Sequence, residues 1–138
     1  MGYYTHISTC FSLNYDGCIP KKAKEYASKS EQRELKHMFD DMSNGKGFFV
    51  GSKGSLFNWG YVGNYTEIEP FVEMLKNFLE EIRGFYTEGF LDFDQALVFY
   101  EPEQSEQATA YEIKPKDGLS ENKLIIEKHN CPFAWMQM

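Results

Sequence analysis

Six residues of this 138-residue chain are best suited to nucleophilic or metal chemistry: Cys10, Cys18, Cys131, His6, His37 and His129. Their spacing argues against a metal centre. His6 and Cys10 share a strand face but lie four residues apart, about 13 Å at the usual strand rise, whereas one ion takes its ligands at about 2.0–2.3 Å. No Cys-x-x-Cys or His-x-x-x-His pair occurs, and His129 with Cys131 is an isolated pair. No metal ligand and no cofactor is therefore expected. As a thiol nucleophile, Cys18 is better placed than mid-strand Cys10, because it precedes the basic start Lys21-Lys22-Ala23-Lys24 and a thiolate needs positive charge nearby. An unreactive thiol is the more economical reading of either.

Carboxylates pair at Glu80/Glu81, Asp92/Asp94 and Glu101/Glu103. Such pairs can hold Mg²⁺ or exchange protons, but no cation stands between their members to set unequal pKa values, so they read as solvated acidic surface. Gly45-Lys46-Gly47 and Gly51-Ser52-Lys53-Gly54 lack the spacing of a phosphate-binding loop and suit a hairpin turn better. Phe57, Trp59 and Tyr61 alternate on one strand face, where exposed rings would stack bases. The only basic cluster that could accompany them is Lys21, Lys22, Lys24 and Lys29, so core packing is the first reading of these rings and direct nucleic-acid binding is not expected.

Charge is placed unevenly. The chain carries a net −7, yet residues 65–138 alone carry −9, and residues 67–112 hold 12 acidic and 2 basic groups. Solubility alone would account for an acidic excess. The sharper reading is a field that steers a basic protein surface onto this side of the molecule. The candidate partner-binding residues are then Glu80, Glu81, Asp92, Asp94, Glu101, Glu103 and Glu106, with Trp59 and Tyr61 as aromatic anchors. The apolar ending, Cys131-Pro132-Phe133-Ala134-Trp135-Met136-Gln137-Met138, must also dock on a core or an interface.

The elements that must position these groups follow from periodicity. Tyr3, Thr5, Ile7, Thr9, Phe11 and Leu13 alternate with Tyr4, His6, Ser8, Cys10 and Ser12, which predicts a half-buried strand over residues 3–13. Pro20 suits the first turn of a helical segment, and Ser30 can cap a second or continuing helix over residues 30–43, stopped by Asn44-Gly45. Phe48-Phe49-Val50 and Leu56 to Val62 form a predicted hairpin. Ile68, Phe71, Val72, Leu75, Phe78, Leu79 and Ile82 fit the helical i, i+3, i+4, i+7 template without a miss and predict the main core helix. Three strands follow, Ala96 to Glu101, Thr109 to Ile113 and Lys123 to Lys128. The order β-α-β-β-α-β-β-β predicts one α+β domain over residues 1–138, a mainly antiparallel sheet of five to six strands with two helices on one face. No apolar run approaches the ~20 residues of a membrane span, and Met1 to His6 has neither the basic nor the apolar part of an export signal, so a cytoplasmic protein with reduced thiols is expected.

The opening Met1-Gly2-Tyr3-Tyr4-Thr5, running directly into the alternating strand, resembles the start of small, mostly uncharacterised phage-encoded α+β proteins, over about the first ten residues alone. The resemblance implies a mobile-element protein that binds host machinery, including CRISPR and other defence complexes, and it carries over no functional residue. With the acidic asymmetry and the lack of a catalytic set, it leads to an expected non-enzymatic inhibitor, anti-CRISPR-like in role, that binds a basic nuclease or effector complex. An immunity protein against a basic toxin nuclease, or a small thiol-dependent enzyme, are the alternatives.

Overall fold

The computed structural model describes residues 5–13, 18–46, 48–51, 54–63, 67–84, 96–102, 108–115 and 123–131. In chain order these form β1 (Thr5–Leu13), α1 (Cys18–Lys29), α2 (Arg33–Ser43), β2 (Phe48–Gly51), β3 (Gly54–Gly63), α3 (Ile68–Gly84), β4 (Ala96–Pro102), β5 (Ala108–Pro115) and β6 (Leu124–Cys131). The strands make one six-stranded sheet, ordered β2-β3-β1-β4-β5-β6, with every described neighbour antiparallel. The α+β architecture is as the periodicity predicts, with three helices in place of two.

The extra helix arises between Ser30 and Gln32. Ser30 was expected to cap the following helix, but its Oγ donates instead to the Tyr26 carbonyl at 2.7 Å and so closes the end of α1. Gln32 takes the N-cap position of α2 without a side-chain cap bond. At the far end of α2, Asn44 N–H bonds back to Asp40 and Asp41 carbonyls, and Gly45 adopts φ 73°, the left-handed turn that a residue without Cβ takes at least cost. Pro20 lies in the first turn of α1, where its missing N–H costs nothing.

Paired residues on neighbouring strands share a face, so the register sorts the sheet into two sides. One side carries Ile7, Thr9, Phe11, Trp59, Val98, Tyr111 and Ile113, all buried, and meets the helices. From α3 come Phe71, Val72, Leu75, Phe78, Leu79 and Ile82, and from α2 Leu35, Met38, Phe39 and Met42, each no more than 2% exposed. Burial of each large apolar side chain contributes about 1.5–3 kcal/mol before entropy, so this stripe is what seats the helices on the sheet. No helix of the described residues is long and apolar enough to cross a membrane.

Candidate functional site on the open face of the sheet

The other side of the sheet faces away from the described helices, and in that sense alone is the open face; its residues form cross-strand rows in which Ala110 is buried and several others are only partly exposed. One row runs Gly60, Ser8, Phe99, Ala110, His129 and the next runs Asn58, Cys10, Leu97, Glu112, Glu127. Along a third, His6 lies between Val62 and Glu101. Val62 is 63% exposed, Leu97, Phe99 and Ile125 are partly exposed, and three carboxylates, Glu101, Glu112 and Glu127, stand among them. The face is thus apolar and acidic together.

Glu112 is directly opposite Glu127. Like charges in that position repel, and cations nearby relieve the repulsion. Lys114 Nζ stands 3.7 Å from Glu112 Oε1 and 3.2 Å from Glu127 Oε2. His129 Nε2 approaches the same pair from the other side, 3.1 Å from Glu112 Oε1 and 3.3 Å from Glu127 Oε1, and adds positive charge when protonated. The donor atoms of Glu112, Glu127 and His129 all lie within 4.8 Å of one another. Glu127 and His129 are two apart on one strand and therefore on one face, a spacing visible in the sequence. Glu112 joins them only through the β5–β6 register, and for that reason the sequence left His129 paired with Cys131. The side chain of Cys131 lies outside the described residues.

The acidic residues singled out by charge do not share one environment. Glu81 accepts a hydrogen bond from the Tyr26 hydroxyl and an ion pair from Lys22 at 3.2 Å, which ties α3 to α1. The Tyr26 bond chiefly, with Lys22 second, holds the Glu81 carboxyl below its ordinary range against an opposing effect of burial. Glu80 accepts the Leu124 backbone N–H at 2.9 Å and lies 3.4 Å from Lys76, so it anchors the start of β6. Both glutamates brace the helical layer. Glu101 is on the open face, 3.8 Å from His6 Nδ1, with 39% of its side chain exposed. Asp92, Asp94, Glu103 and Glu106 lie outside the described residues.

Trp59 and Tyr61 point to the helical side. Trp59 is 8% exposed, stacks on Phe71 at 6.0 Å and on Tyr61 at 6.1 Å, and donates its indole N–H to Asp41 Oδ2 at 3.1 Å. Tyr61 is partly buried against the same core, and burial first, then the Glu34 charge, pushes its phenol up. The core-packing reading of these two rings agrees with the structure, which places them against the helical core and not on the solvent side where an aromatic anchor for a partner would stand. The side chain of Phe57 lies outside the described residues.

Cys10 is a partly exposed free thiol on the open face. His6 shares its strand four positions away, and His129 is three strands across, about 14 Å at the usual strand spacing. His37 is exposed on α2, on the opposite side of the sheet. None of these imidazoles is in reach of the Cys10 thiol. The side chain of Cys18 lies outside the described residues. Comparison with protein-family models, with curated proteins and with solved structures gives no match for this chain.

Proposed function

We propose that this chain is a non-enzymatic binding protein, a phage or mobile-element antagonist of a host defence nuclease, which docks through the open face of its sheet onto a basic protein surface. The observation that carries the reading is the mixed character of that face, with Glu101, Glu112 and Glu127 set among Val62, Leu97, Phe99 and Ile125. Apolar patches of this kind supply the buried centre of an interface, and carboxylates around them select a positively charged partner and speed its encounter. The sequence adds Asp92, Asp94, Glu103 and Glu106 immediately before and after β4, the strand that carries Leu97, Phe99 and Glu101. Charge complementarity therefore points to a nuclease or nucleic-acid-binding effector, whose phosphate-binding surface is basic. The phage origin rests on the resemblance of the opening residues.

The test is inhibition of DNA cleavage by purified RNA-guided effector nucleases, with basic toxin nucleases assayed in parallel. A tight complex with one nuclease, weakening at least tenfold between about 50 and 200 mM salt and lost in the triple variant E101K/E103K/E106K, is the expected result. Inhibition restricted to toxin nucleases would identify an immunity protein in place of a defence antagonist. A complex indifferent to the three charge reversals would overturn the acidic-face reading.

A further inference from the structure

We propose that Glu112, Glu127 and His129 form a zinc-binding site on the open face of the β5–β6 hairpin, with the remaining coordination position left to solvent. The site shares Glu112 and Glu127 with the proposed docking face, but its geometry does not rest on that reading.

The donor set is mixed, two carboxylate oxygens and one imidazole nitrogen, and it is assembled by two strands. Tetrahedral coordination at about 2.1 Å per ligand separates neighbouring donor atoms by about 3.4 Å. His129 Nε2 lies 3.1 Å from Glu112 Oε1 and 3.3 Å from Glu127 Oε1, and the three donor atoms are within 4.8 Å of one another. Closing this cluster on an ion therefore takes side-chain adjustments of an ångström or so, with no movement of the sheet. Backbone pairing fixes the rest, since Glu112 is directly opposite Glu127 and Ala110 directly opposite His129.

Charge supports the same assignment. Two opposed glutamates repel, and a divalent ion would relieve both from one point. At present Lys114 contributes, 3.2 Å from Glu127 Oε2 and 3.7 Å from Glu112 Oε1. It approaches Glu127 through the oxygen that His129 does not contact, so Glu127 Oε1 stays directed at the cluster. Lys114 is thus a competitor for the ion. Zinc is favoured over Mg²⁺ and Ca²⁺ because those ions prefer all-oxygen shells with six or more ligands, whereas zinc accepts imidazole with carboxylate in a four-coordinate shell.

The experiment is calorimetric titration of chelator-treated protein with ZnCl₂ alone, with circular dichroism to confirm that each variant is folded. One ion per chain is expected, with H129N and E112Q each weakening binding at least tenfold, K114Q tightening it, and E101Q leaving it unchanged. Mg²⁺ should bind at least a hundredfold more weakly. Absence of a one-to-one event overturns the site, as does binding that H129N leaves intact or that K114Q fails to tighten. Because E101K/E103K/E106K retains all three ligands, loss of the partner complex in that variant and loss of zinc in H129N are separate results.

Discussion

Tyr26 on α1 donates its hydroxyl to the carboxylate of Glu81 on α3, a bond between residues 55 positions apart that joins the two helices above the core. Lys22, one turn earlier on α1, approaches the same carboxylate at 3.2 Å. The pairing shifts both acids in opposite directions. Burial first, and then the Glu81 bond, pushes the Tyr26 phenol well above its ordinary value, while the Glu81 carboxyl is held below its own. Removing the hydroxyl in Y26F should cost about 1.5–3 kcal/mol, the range for a hydrogen bond to a charged group, measured as the loss of unfolding free energy in urea.

The same bond makes a two-sided pH prediction. A tyrosine raised in the folded state stabilises fully below its unfolded pKa near 10, and that contribution is lost as pH rises through the folded value. Tyr111 behaves alike, pushed up to about 12 by burial and then by its bond to Glu69 Oε2 at 3.1 Å. Glu81, being lowered, stabilises above its unfolded pKa near 4.3, and that contribution is lost as pH falls. Stability should therefore decline above about pH 10 and below about pH 4. Thermal midpoints across pH should show the alkaline slope reduced in Y26F and in Y111F, and the acid slope reduced in E81Q.

Phe78 should be the most costly single truncation in the helical layer. Its ring is fully buried and meets Tyr26 edge-on at 5.3 Å and Phe39 at 5.0 Å, while Tyr26 and Phe39 are themselves 5.4 Å apart. All three helices contribute one ring. F78A should lose about 3–5 kcal/mol, and F78L should keep most of it because volume is largely conserved. Denaturant midpoints at constant slope would check both.

The helical layer was legible in the sequence because Phe71, Val72, Leu75, Phe78, Leu79 and Ile82 repeat at helical spacing, and local spacing is all that a buried helix face needs. The break between α1 and α2 was harder to see, since Ser30 is equally suited to begin a helix or to end one, and only its bond back to the Tyr26 carbonyl decides. Parity put Phe57, Trp59 and Tyr61 on one face of β3 but could not say which face. That answer comes from the pairing of Trp59 with Thr9 and Tyr61 with Ile7 on β1. The Glu112, Glu127 and His129 cluster depends wholly on the β5–β6 register, which local periodicity does not encode.

Lys114 should be worth more than an ordinary surface lysine at low salt. Exposed ion pairs usually contribute 0–1 kcal/mol, but here the lysine also relieves a cross-strand pair of glutamates. K114A should destabilise the protein by about 1 kcal/mol at low ionic strength, and most of that loss should disappear at about 0.5 M salt, where charges a few ångströms apart at the surface are screened. Urea titrations at the two salt concentrations would separate this electrostatic part from any loss of packing by the lysine stem.

Thr9 offers a stabilising change. It is fully buried on the helical side of β1, between Trp59 and Val98 in the register, and its Oγ1 has no hydrogen-bond partner among the described residues. A hydroxyl taken out of water without a partner costs about 1–3 kcal/mol in proteins, and valine keeps the β-branched shape while replacing that oxygen with a methyl group. T9V should therefore raise the unfolding free energy by about 1 kcal/mol, with the gain read as a higher urea midpoint at unchanged slope. Because Thr9 lies on the face opposite Cys10 and Glu112, the same substitution should leave zinc affinity and partner binding unaltered, which makes it a suitable background for variants of the open face.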